Sequence, residues 1–171
     1  VCASPLVIGD LVLVCPTGSN GPSLVAYDCA TGNRVWGGGR HGASYSSPVV
    51  ADLGSVAQIL LFNSVGLSAH DIESGDQLWH FDWTNSAQTN VAQPVVHAGN
   101  KDQVLVTTGY QKGCALIRVQ RTDSKGWSVR ELWSNNQLKT KFCTAVMHGD
   151  HVFGLDDGIL PCLDVQSGGA T

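Results

Sequence analysis

Charge is scarce in this sequence. Only 14% of its 171 residues are Asp, Glu, Lys or Arg, against about 25% in an average soluble domain. Ten basic residues against fourteen acidic ones leave a net charge of −4, which argues against nucleic acid as the main partner, because gripping phosphates requires a basic face. Long apolar runs are missing too. The best candidate, "PLVIGDLVLVC", is split by Gly9-Asp10 into two strand-length pieces, far short of the ~18 residues that span a bilayer as a helix. No segment keeps apolar residues at i, i+3, i+4 and i+7 over two turns, so no substantial helix is expected. The six cysteines (Cys2, Cys15, Cys29, Cys114, Cys143, Cys162) contain no CxxC pair, and a zinc site is not expected. They read as free, small core residues, with one or two disulfides as the alternative. No signal-peptide pattern opens the chain.

What is present is repetition. "LVAYDCATGNRVW" (Leu24 to Trp36) and "LSAHDIESGDQLW" (Leu67 to Trp79) place an Asp, a Thr or Ser, a Gly and a Trp at identical offsets. The first copy has Asp28, Thr31, Gly32 and Trp36; the second has Asp71, Ser74, Gly75 and Trp79. A third, "LPCLDVQSGGAT", carries Asp164, Ser167 and Gly168 in register and stops one position before its Trp would fall. Pro5 and Pro48 share the same spacing as the paired Asp and Trp residues. A period of about 40–50 residues is that of a propeller blade.

Each unit divides into four short runs rich in Val, Leu and Ile and bounded by Gly, Asp and Asn, the pattern of antiparallel strands. The expected units are 1–38, 39–84, 85–135 and 136–171, the last lacking its outer strand. The Asp closes one strand and caps the following turn with its carboxylate. The Gly supplies the positive φ of a bulged hairpin, and the Trp then packs against the neighbouring unit. The third unit departs from this. It has "RTDSKGW" in place of the short Asp turn, with Asp123, Ser124, Lys125 and Gly126 as an exposed tip, and 54 residues separate Trp79 from Trp133 (133 − 79). The fourth unit has Ala145 where the others carry Pro.

The pattern Ala-x-Asp-x-x-Thr-Gly-x-x-x-Trp resembles the tryptophan-docking motif of quinoprotein-like β-propellers, a family that includes pyrroloquinoline-quinone alcohol dehydrogenases and outer-membrane-assembly lipoproteins. The resemblance implies an all-β propeller of four-stranded antiparallel blades, about four of them here, forming part of a seven- or eight-bladed ring. The remaining blades are expected from a longer chain or from a second copy. It also implies a location outside the cytoplasm, periplasmic or extracellular. One fold carries many functions, so three are weighed. The first is a non-catalytic binding or scaffold module, the second a fragment of a quinone-dependent dehydrogenase, and the third a sugar- or polymer-binding domain of an extracellular enzyme.

In such propellers the loops from outer strand to next inner strand surround one mouth of the central channel. Three of them, 37–47, 84–93 and 134–142, are expected to bring together Arg40, His41, Tyr45, Asn90, Gln93, Lys139 and Lys141. Arg40, Lys139 and Lys141 would clamp an anionic or hydroxyl-rich small ligand, or the face would meet a protein partner. No catalytic residue and no metal ligand is assigned. The dehydrogenases of the family need pyrroloquinoline quinone held by calcium, an acidic base and, in many, a disulfide between adjacent cysteines. No two cysteines are adjacent here. The one tight acidic pair, Asp156-Asp157-Gly158, reads as a hairpin turn, and calcium needs several oxygens at defined spacing. No cofactor is therefore expected outside the dehydrogenase alternative. His148 and His151 flank a turn, while His41, His70, His80 and His97 are spread along the chain with no pairing visible.

Overall fold

A computed structural model of the chain describes residues 3–16, 21–123 and 126–171. Cys2, residues 17–20 and two residues of the expected tip, Ser124 and Lys125, lie outside the described residues. Every regular element among the described residues is a β-strand. The first sheet runs β1 (Leu6–Ile8), β2 (Leu11–Val14), β3 (Leu24–Asp28), β4 (Arg34–Gly38), and the second β5 (Val49–Leu53), β6 (Val56–Phe62), β7 (Gly66–Asp71), β8 (Gln77–Asp82). The third comprises β9 (Val95–Val96), β10 (Gln103–Thr108), β11 (Gly113–Arg121) and β12 (Trp127–Asn135). The fourth has three strands, β13 (Val146–His148), β14 (His151–Phe153) and β15 (Cys162–Asp164), with a single further bridge between Leu163 and Ala170. Strands pair antiparallel in chain order within each sheet, which makes the sheets the blades of a β-propeller. No helix long and apolar enough to cross a membrane occurs among the described residues.

The period-two alternation of strand side chains decides how blades stack. On β6, Ile59 and Leu61 join Leu13, Leu24 and Ala26 of blade 1, whereas Leu60 and Phe62 join Val104 and Val106 of blade 3. On β10 the next residue over, Leu105, points instead to Val152 and Leu163 of blade 4. Both faces of a central blade are therefore apolar, and its strands read as near-continuous hydrophobic runs.

The repeated turn explains the docking of one blade on the next. In all three copies the Asp Oδ1 accepts from the backbone N–H three residues on, at 2.7 Å (Asp28–Thr31), 2.9 Å (Asp71–Ser74) and 2.7 Å (Asp164–Ser167), and from the same residue's hydroxyl. The glycine N–H then closes on the Asp carbonyl. A bulge follows at Ala26/Tyr27 and Ala69/His70, and the same irregularity occurs at Leu116/Ile117. It puts Trp36, Trp79 and Trp133 opposite Ala26, Ala69 and Leu116, so the three tryptophans are structural equivalents despite their uneven spacing.

Trp36 reaches across to blade 2, where its Nε1–H donates to the Ile72 carbonyl at 3.1 Å and its ring lies on Gly75. Trp133 does the same on blade 4, donating to the Val165 carbonyl at 2.8 Å over Gly168. Blade 3 offers no such turn to Trp79. Its ring still packs with Val104, Ile117 and Val119 of blade 3, but its Nε1–H bonds Gln58 Oε1 of its own blade at 2.6 Å. The long β11–β12 hairpin compensates by leaning back on blade 2, with Trp127 and Arg121 against Gly54.

The residues before the blade-opening prolines, and before Ala145 in blade 4, form a second, polar seam. Ser4 N–H donates to Ser47 Oγ at 2.8 Å, Gln93 Nε2 to the Ser47 carbonyl at 3.4 Å, and Gln93 N–H to Thr144 Oγ1 at 3.0 Å. The innermost strands of four successive blades are thus linked by side chains as well as by packing.

Candidate functional site

The loop face is built by two kinds of connection, outer strand to next inner strand and second strand to third strand. Their geometry separates the seven expected mouth residues into three groups. Arg40 and His41 line a cavity of about 610 Å³ between blades 1 and 2, with Gly37 to Gly39 on one side and Gly75 to Gln77 on the other. Lys139 and Lys141 line a second cavity, of about 260 Å³, between blades 3 and 4. Tyr45, Asn90 and Gln93 line neither of these.

Asn90 is fully buried. Its Nδ2 donates to the Asn63 carbonyl at 2.7 Å and its Oδ1 accepts from Asn85 Nδ2 at 3.1 Å. Its backbone carbonyl accepts from the Tyr45 and Ser46 N–H groups, both at 3.0 Å, and from Ser44 Oγ at 2.7 Å. An amide whose donor and acceptor both face protein partners is a latch between loops 39–48 and 83–94, not a ligand contact. Gln93 belongs to the polar seam. Tyr45 is held by its backbone, and its side chain is exposed.

Lys139 is not a free cation. Its Nζ lies 2.6 Å from Asp156 Oδ2 and donates to the Asn136 carbonyl at 3.0 Å. Asp156 opens the turn 156–159, in which Asp156 and Ile159 exchange two backbone hydrogen bonds. The central residues Asp157 and Gly158 both have positive φ, as a type I′ hairpin requires. The β10–β11 turn, Gly109 to Lys112, has the same form with Tyr110 at φ 56° and Gln111 at φ 63°. Left-handed backbone at a residue with a Cβ costs about 1–3 kcal/mol. Of the five such non-glycine residues described, Tyr110, Gln111 and Asp157 all border the second cavity.

Histidine grouping is a correction to the sequence analysis. His41 and His80 have ring centroids 4.9 Å apart, and His70 lies beneath them with Nδ1 3.0 Å from the Gly75 carbonyl and Nε2 3.0 Å from Ser68 Oγ. Burial holds the His70 imidazole below the usual histidine range, the Gly75 hydrogen bond opposes it, and His41 and His80 push the same way as burial. His80 is lowered first by burial and then by His41, against the opposing pull of Asp82. The grouping was invisible in sequence because it needs the bulge at Ala69/His70 and the crossing of loop 39–48 over blade 2. The described cysteines are free thiols, and burial raises Cys15 and Cys114 to about 11.

Among the described residues no three His, Cys, Asp or Glu side chains come together as a metal site. A calcium-held quinone needs a cluster of acidic oxygens. Asp156 is engaged by Lys139, and its neighbour Asp157 projects from an exposed turn. This donor set does not fit such a cofactor.

No individual curated protein matches the chain. The model of one family, described as outer membrane protein assembly factor BamB, matches residues 1–170. Blades, Asp-capped turns and a match over nearly every residue agree, and the chain belongs to this BamB-like family of β-propellers with pyrroloquinoline-quinone-type repeats.

Proposed function

We propose that the chain is a non-catalytic binding module, a propeller scaffold outside the cytoplasm that presents its loop face to a protein partner. The observation that carries this is the latch centred on Asn90. Loops 39–48 and 83–94 are fastened by buried Asn63, Asn85 and Asn90, and Asn85 Nδ2 extends the network to Thr108 Oγ1 at 3.0 Å on blade 3. A face already ordered before contact loses less conformational entropy on association. Exposed Tyr45 sits on that face, and tyrosine is favoured at interfaces for its large, rigid contact area. The donor set that does not suit a calcium-held quinone supports binding over redox chemistry. Membership of a family described as an assembly factor supports a protein as partner.

Site-specific photocrosslinking tests this. A photoreactive amino acid at Tyr45 should give one discrete adduct in intact envelopes, while the same group at exposed Glu73, in the Asp71 turn, should give none. Equal crosslinking from both positions would overturn the proposal. So would turnover of alcohols with a dye acceptor after addition of calcium and pyrroloquinoline quinone.

A further inference from the structure

We propose that the cavity between blades 3 and 4 binds a small molecule carrying a carboxylate beside hydroxyl or ammonium groups, with Lys141 holding the carboxylate and Asp157 accepting from the neighbouring donors. This goes beyond partner binding and does not depend on it.

Several observations converge on this cavity. It lies between the tips of two type I′ turns, one from each blade, and three of the five left-handed non-glycine residues described are on its rim. The left-handed residues are those the two-residue turns require, and they fix both turn tips at the edge of the cavity. Gly109 brings the blade 3 turn so close to Lys141 that a Cβ there would lie 2.9 Å from Lys141 Cγ. The lysine is thereby aimed by backbone on one side and by aromatic rings on the other, its Nζ 5.4 Å from the centroids of both Tyr110 and Phe142.

The charge arrangement selects the ligand. Lys139 and Asp156 neutralise each other at 2.6 Å. Lys141 and Asp157 have no charged partner among the described residues, so one positive and one negative group remain unmatched on the same cavity. A ligand with a carboxylate at one end and donors at the other complements both. A phosphate would meet the Asp157 carboxylate as a like charge, and a neutral sugar would leave Lys141 unpaired. At about 260 Å³ the cavity is below the range of drug-sized sites, which suits a molecule the size of a sugar acid or an amino acid.

Titration calorimetry on the whole chain separates the possibilities with four probes: glucuronate, L-alanine, glucose and inorganic phosphate. Glucuronate binding would identify hydroxyls as the donor end, and L-alanine binding an ammonium. Either should exceed glucose and phosphate by about tenfold or more, and Lys141→Met should weaken it by a similar factor. Asp157→Asn should weaken it while leaving the turn intact, since Asn accepts left-handed backbone readily. Arg40→Ala, in the other cavity, should change nothing. The proposal is overturned if neither glucuronate nor L-alanine binds. It is equally overturned if phosphate binds as tightly as they do, or if Lys141→Arg and Lys141→Met bind alike.

Discussion

The Trp36 ring, the Asp71 carbonyl and His70 Nδ1 all meet Gly75, and replacing it with alanine isolates what blade docking contributes. Gly75 has φ 76° and Gly32, its counterpart in blade 1, has φ 68°, so an alanine at either must accept left-handed backbone at about 1–2 kcal/mol. Their surroundings differ. A Cβ on Gly32 meets nothing within 4 Å, whereas one on Gly75 would lie 2.4 Å from Trp36 Cε3 and 2.8 Å from Cδ2. The indole cannot retreat without losing its bond to the Ile72 carbonyl and its packing on Ile59 and Leu61. Overpacking of this kind costs about 1–3 kcal/mol more. Gly75→Ala should therefore destabilise the chain by roughly 2–5 kcal/mol and Gly32→Ala by only the first part. Urea unfolding followed by tryptophan fluorescence measures both, and a cycle with Trp36→Ala completes the test, because without the ring the extra cost of Gly75→Ala should vanish. Equal losses at Gly75 and Gly32, or an undiminished penalty in the Trp36→Ala background, would refute docking through this glycine.

Two further outcomes are expected. His70 and His80 hold protons less tightly folded than unfolded, so their contribution is complete above about pH 6.5 and declines as the pH falls through that value. Asp28 and Asp164, held low first by hydrogen bonds from the Thr31 and Ser167 side chains, add a second decline below about pH 3.8. Urea midpoints across that range should show both limbs, with His70→Gln flattening the upper one; a flat profile between pH 7 and pH 5 would contradict the burial of these imidazoles. Gln58→Leu should cost about 1–3 kcal/mol, because the Trp79 N–H then stays buried without an acceptor. Unchanged denaturation midpoints in that variant would mean that the indole finds another partner.

The periodic signals of the sequence carried most of the fold. Strands and the Asp-Ser/Thr-Gly-Trp turns were legible because each rests on contacts a few residues apart: Asp71 with Ser74, Gly75 with Asp71, Ala69 opposite Trp79. The irregular third unit was legible as an irregularity, but the use of Trp127 against Gly54 was not, since it joins residues of different blades.

The candidate site was only partly readable for the same reason. The sequence assigned polar loop residues to one mouth by position. It could not show that Asn90 is consumed by Asn63 and Asn85, that Lys139 is neutralised by Asp156, or that His41, His70 and His80 meet at one seam. Local spacing determined what each turn is, because backbone hydrogen bonds close within it. Only the stacking of blades decided which polar groups remain free, because a side chain's partners there come from loops tens of residues away.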